Sequence, residues 1–91
     1  MVAREAGLSR RIRKAIEARG GYAVTIHGSP MSRVGCPDLL VCWRGRFVAL
    51  EVKVPGNIPT KAQLRQMALI REAGGAAVTV HSVEEALSAL A

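Results

Sequence analysis

Aromatic residues are scarce in this chain: one Trp, one Tyr and one Phe among 91 residues. The core must therefore be built from Val, Leu, Ile and Ala. The rings that stack on the bases of single-stranded nucleic acid are also largely missing. No helix-turn-helix or zinc-finger spacing is present, so base-specific readout is not expected. The two cysteines, Cys36 and Cys42, have no further Cys or His at metal-ligand spacing, which excludes a zinc site and a disulfide framework. Both are expected to be free, packed thiols in a reducing compartment. No apolar run approaches the ~20 residues of a membrane span. The opening Met-Val-Ala-Arg-Glu-Ala-Gly has no apolar stretch after its first basic residue, which predicts no signal peptide and a cytoplasmic chain.

What is present fits one domain over residues 1–91. The hydrophobic fraction is 49%, enough for a core, but a thin one at this length. Association with a second copy would bury more apolar surface. Lys and Arg number 13 against 7 Asp and Glu, a net charge of +6. Such a balance favours a polyanionic partner, either nucleic acid or an anionic membrane, over the plain alternative of a functionally neutral basic surface.

Hydrophobic periodicity predicts the elements. Leu8, Ile12, Ala15 and Ile16 form one stripe of a helix over 5–19, opposite Arg10, Arg11, Arg13 and Lys14, and Gly20-Gly21 closes it. A strand over 22–26 follows. Residues 27–37 form a Gly- and Pro-rich loop long enough to bind something. Apolar strands at 39–43 and 46–54 flank Arg44-Gly45, a two-residue hairpin turn. After a loop at 55–59 come a helix over 60–72, a strand over 76–80 and a helix over 83–90. The order implies a mixed sheet with helices packed on it.

The hairpin carries the chemistry. If Arg44-Gly45 is the turn, Trp43 faces Arg46, Cys42 faces Phe47 and, counting outward, Asp38 arrives opposite Glu51. Opposed residues share a face, with Cβ atoms about 4.5–5.5 Å apart. Two like charges so close are destabilising unless a cation joins them. Lys53, two residues beyond Glu51, projects from the same face. Asp38 and Glu51 are also the only acids between Glu17 and Glu72. A carboxylate pair of this kind suits Mg²⁺, which takes one or two carboxylates and fills its remaining positions with water and phosphate oxygens. The ordinary reading of the same residues is a cross-strand salt bridge on a solvated face.

Further residues have two readings each. Glu5 lies seven positions before Ile12, on the apolar line of its helix, and either faces the site or simply complements the helix dipole. Gln63 lies on the buried face of its helix by its spacing to Met67 and Ile70, yet it also completes a Thr60–Gln63 capping box. Arg10, Arg11, Arg13, Lys14, Arg33, Lys61 and Arg65 are candidate phosphate contacts or a solvated surface. His27 either ends a strand or contacts phosphate. His81 precedes Ser82, the N-cap of the last helix, and is given no role. Trp43 beside the turn is structural.

Taken together, Glu5, Gly20-Gly21, the run Gly35-Cys36-Pro37-Asp38-Leu39, Glu51-Val52-Lys53, Pro55-Gly56 and Gln63 resemble the VRR-NUC family of the PD-(D/E)XK nuclease superfamily, over nearly the whole chain. The resemblance implies a restriction-endonuclease-like α/β fold: an αβββαβ core whose mixed central sheet is flanked by helices. It implies a Mg²⁺- or Mn²⁺-dependent endodeoxyribonuclease. Glu5, Asp38, Glu51 and the backbone carbonyl of Val52 become metal ligands, Lys53 the catalytic lysine and Gln63 a residue that orients water or substrate. It further implies a stand-alone bacterial or phage-encoded domain acting as a homodimer on branched DNA, four-way (Holliday) junctions included. The alternatives are a less selective nickase, flap or general endonuclease with the same site, or a DNA-binding domain without catalysis. Thr25 departs from the pattern, since many relatives carry a lysine near that position.

Overall fold

The computed structural model describes residues 2–26 and 33–91, with the backbone alone for residues 2 and 3. Among the described residues, three helices enclose a four-stranded sheet. In chain order they are α1 (Val2–Ala18), β1 (Tyr22–Thr25), β2 (Leu39–Trp43), β3 (Arg46–Val52), α2 (Lys61–Glu72), β4 (Ala76–Val80) and α3 (Val83–Leu90). The strands lie in the order β1-β2-β3-β4. β1, β2 and β3 are antiparallel neighbours, whereas β4 runs parallel to β3 after the α2 crossover. The sheet is mixed, as the element order predicts. His27 and most of the loop assigned to 27–37 lie outside the described residues.

The β2–β3 hairpin turns on Arg44 (φ 50°) and Gly45 (φ 80°). Positive φ at both central residues is the backbone of a type I′ turn, whose twist matches that of the strands it joins. Trp43 pairs with Arg46, Cys42 with Phe47 and Leu39 with Leu50, the register that the two-residue turn dictates.

Side chains alternate across the sheet and divide the core in two. Leu8, Ile12 and Ile16 of α1 and Ala86 and Leu90 of α3 cover Val41, Trp43, Val48, Leu50, Val52 and Val80. On the other face, Met67 of α2 covers Ala49 and Ala77, with Leu40 and Ile70 packed alongside. Burying each of the larger aliphatic side chains contributes about 1.5–3 kcal/mol. The α1–α3 side therefore holds most of the stability, and the α2 side is left with a small core.

Three expectations need correction. α1 begins at Val2 rather than residue 5, so Glu5 sits within its first turn. β3 ends at Val52 rather than Val54, because its parallel partner ends at Val80 and the ladder has nothing further to pair with. Cys42 is exposed, not packed. It faces the α2 side opposite Phe47, itself 47% exposed, where the hairpin extends past the reach of α2.

Candidate active site

Asp38 stands immediately before β2, one pair beyond Leu39–Leu50, and so comes opposite Glu51. Its backbone is held by β1, since Asp38 O accepts a 2.8 Å hydrogen bond from the Ile26 N–H. Its side chain reaches across to β3, where Oδ2 accepts from the Val52 N–H at 2.9 Å. The carboxylate thus takes the place of a ladder partner at the end of the hairpin.

Glu51 is wholly buried, and among the described residues neither Oε1 nor Oε2 has a hydrogen-bond partner. The nearest cation is Lys53, whose Nζ lies 3.6 Å from Oε2. A buried, unpartnered carboxylate is a costly group to ionise. Burial first, then the charge of Asp38, pushes the Glu51 carboxyl up to about 8, against the opposing pull of Lys53. Asp38 is also raised, again first by burial, although the Val52 N–H and Lys53 favour its anion. In the absence of a cation, the pair holds a proton near neutral pH.

A divalent cation fits this arrangement. The donors are hard carboxylate oxygens, two of them have no hydrogen-bond partner among the described residues, and the retained proton marks a missing positive charge. Among the described residues, however, no three His, Cys, Asp or Glu side chains are gathered into a preformed metal cluster. Glu5 is half-buried and accepts a 3.4 Å hydrogen bond from Asn57 Nδ2. Its charge reaches Asp38 and adds a small upward push there. Glu5 is therefore an outlying third acid, anchored by the loop that follows β3.

Gln63 takes the capping-box reading of its position in full. Its N–H donates to Thr60 Oγ1 at 3.2 Å, and its Oε1 accepts from the Thr60 N–H at 2.8 Å, so the capping box is complete. The side-chain oxygen is committed to the helix end, which leaves the amide nitrogen for any other contact. Gly35 fixes how this helix end meets the site. It has φ +82°, and a Cβ there would collide with the backbone carbonyl of Ala62 and lie 2.8 Å from Gln63 N. The loop that delivers Asp38 packs backbone to backbone on the start of α2.

Two neighbours escape sequence reading. Asn57 meets Glu5 across 52 positions, and no local spacing announces the contact. Cys36 lies two residues before Asp38, in a run that singles out Asp38 alone. Burial and the Glu51 charge push its thiol up, with Arg33 opposing. Of the candidate phosphate contacts, Arg10, Arg11, Lys14, Arg33, Lys61 and Arg65 are exposed. Arg13 is engaged with Glu17 at 3.3 Å.

An antiparallel hairpin with two opposed acids and a lysine at its end, extended by a parallel crossover strand and clasped by helices, defines a restriction-endonuclease-like α/β domain. No protein-family model matches the chain, and no curated protein matches it in sequence. A solved structure described as a VRR_NUC domain does match, with a TM-score of 0.75 and 29% identity over 92% of this chain and 90% of that one. In fold and over nearly its whole length, the chain is similar to that VRR_NUC domain. No helix among the described residues is long and apolar enough to cross a membrane.

Proposed function

We propose that this VRR-NUC-like domain is a metal-dependent endonuclease that hydrolyses DNA phosphodiester bonds, with Asp38, Glu51 and Lys53 as its working residues. The observation that carries this reading is the buried Glu51 carboxylate, neither of whose oxygens has a hydrogen-bond partner among the described residues, opposite Asp38 and beside Lys53. A binding domain has no use for two acids forced together in a protein of net charge +6, whereas a cation site requires them.

Mg²⁺ or Mn²⁺ held there supplies positive charge to the phosphate and makes a bound water more acidic. Asp38 and Glu51 would hold the cation, with Glu5 and the Val52 carbonyl as further ligands. The Val52 N–H keeps the Asp38 carboxylate aimed across the strand end. Lys53 neutralises the excess charge of the pair and offers its ammonium to a phosphate oxygen, where developing negative charge is stabilised. The Gln63 amide nitrogen orients water or substrate from the start of α2. Arg10, Arg11, Lys14, Arg33, Lys61 and Arg65 contact the DNA backbone without reading bases.

The family resemblance extends the proposal to a cytoplasmic, bacterial or phage-encoded homodimer that resolves four-way junctions. Paired cuts on two strands need two sites, and this chain carries one. Asp38→Ala tests the core of the reading. Cleavage in Mg²⁺ or Mn²⁺ should disappear while DNA binding in EDTA persists. A wild-type chain that binds DNA and cuts no branched or linear substrate with either metal is a binding domain instead.

A further inference from the structure

On the α1–α3 side of the sheet, at the end where the acids lie, there is a cleft of ≈ 470 Å³. Leu8 and Val54 are its buried apolar members, and Arg4 and Arg11 line it from α1. These two arginines are seven residues apart, two helical turns along one line. Between them is Gly7, an unfavourable residue inside a helix. A Cβ at Gly7 would lie 3.6 Å from Arg11 Nη1, so the Arg11 guanidinium folds back over the bare backbone of Gly7 in the direction of Arg4.

Among the described residues neither Arg4 nor Arg11 has an ion-pair partner, in contrast to Arg13 on the same helix. Two guanidinium groups lining one cleft repel each other until an anion joins them. The acid on the opposite wall, Glu84, is exposed and bonds to neither arginine. His81 also lines the cleft. Its Nδ1 is held by Glu85 Oε1 at 3.1 Å, which leaves Nε2 as the ring nitrogen available to a ligand.

The cleft adjoins the candidate site at two points along the chain. Arg4 precedes Glu5, and Val54 and Pro55 follow Lys53 directly. A strand with one phosphate at the carboxylate pair can therefore pass around the end of the sheet into the cleft. We propose that the cleft is a second phosphate subsite, in which Arg4 and Arg11 clasp an internal backbone phosphate of the bound strand beyond the one at the carboxylates. The phosphate's place relative to the cut rests on the nuclease reading, but the capture of the phosphate does not. Planar guanidinium forks match phosphate oxygens in pairs, and Gly7, with no side chain of its own, leaves the cleft open between the two arginines.

The test is DNA binding by the full chain in EDTA, using labelled four-way junctions and linear duplexes with either a 5′-hydroxyl or a 5′-phosphate. Arg4→Gln with Arg11→Gln should raise Kd at least tenfold and make the slope of log Kd against log salt shallower by about 1–2. Arg44→Gln with Arg46→Gln removes the same charge at the far hairpin and should change Kd less than twofold. Gly7→Leu fills the cleft without altering charge and should also weaken binding, with no fall in Tm. Equal effects of the two double variants would overturn the proposal. So would a loss confined to 5′-phosphorylated DNA, which would mark a strand-terminus pocket. Cleavage is scored separately. A wild-type chain that binds through Arg4 and Arg11 but never cuts refutes the nuclease reading alone, and a normal Kd in the Arg4/Arg11 variant refutes the subsite alone.

Discussion

Glu51 carries a carboxyl group where, among the described residues, a negative charge has no hydrogen bond to receive it, and this has a measurable effect on stability. Its folded-state value of about 8 lies above the 4.5 of a free glutamate. Below pH 4.5 the group is protonated in both folded and unfolded chains and costs nothing. As pH rises from 4.5 to 8, the unfolded chain ionises freely while the folded one resists, so stability falls across that window. The raised Asp38 acts in the same direction. In EDTA, urea denaturation at pH 5 and pH 8.5 should show a loss on the order of 2–4 kcal/mol for the wild type. Glu51→Gln should remove most of that slope, and Mg²⁺ should restore wild-type stability at the higher pH. A wild type that becomes more stable toward pH 8.5 contradicts the assignment. In the proposed mechanism, Lys53 acts on the rate instead. Lys53→Ala should lower the single-turnover cleavage rate about 10²–10³-fold with DNA affinity nearly unchanged. The opposition of Asp38 to Glu51 is legible in the sequence because a two-residue turn leaves the register no freedom. The Val52 hydrogen bond and the Glu5–Asn57 contact are not legible, since each depends on how a loop closes in three dimensions.

At the scale of elements, the start of α2 is held from two sides. Thr60 and Gln63 cap it from within, and Gly35 brings the Asp38 loop against its backbone. The two restraints should differ in weight. Thr60→Ala removes one cap and should cost about 1 kcal/mol. Gly35→Ala must place a side chain at φ +82° and into the Ala62 carbonyl, and should cost about 2–4 kcal/mol. Equal midpoints for the two variants in chemical denaturation would show that Gly35 is not the tighter contact. β2, β4 and α3 can be read to the residue from the sequence, because glycines or a capping serine bound apolar runs of fixed period. The end of β3 cannot, as Lys53 and Val54 continue the strand pattern while the partner strand stops at Val80. Cys42 misleads for a related reason: a strand position does not disclose how far along the sheet the covering helix extends.

The whole molecule is a small basic domain with its larger core on the α1–α3 side and its acids at one end of the sheet. The mixed sheet could be inferred from element order, but the placement of β4 beside β3 and the unequal division of the core required the structure. Junction resolution requires two such domains. Sedimentation at micromolar concentration should show a dimer of the 9.7 kDa chain, and a strict monomer would restrict the activity to single cuts. The most direct test is cleavage of labelled four-way junctions and linear duplexes by wild type and Asp38→Ala, with Mg²⁺, Mn²⁺ or EDTA. The predicted result is cutting by the wild type with either metal, none in EDTA and none by the variant, with symmetric paired cuts favoured on junctions. Cutting that survives in EDTA or in Asp38→Ala would contradict the carboxylate pair as the catalytic centre.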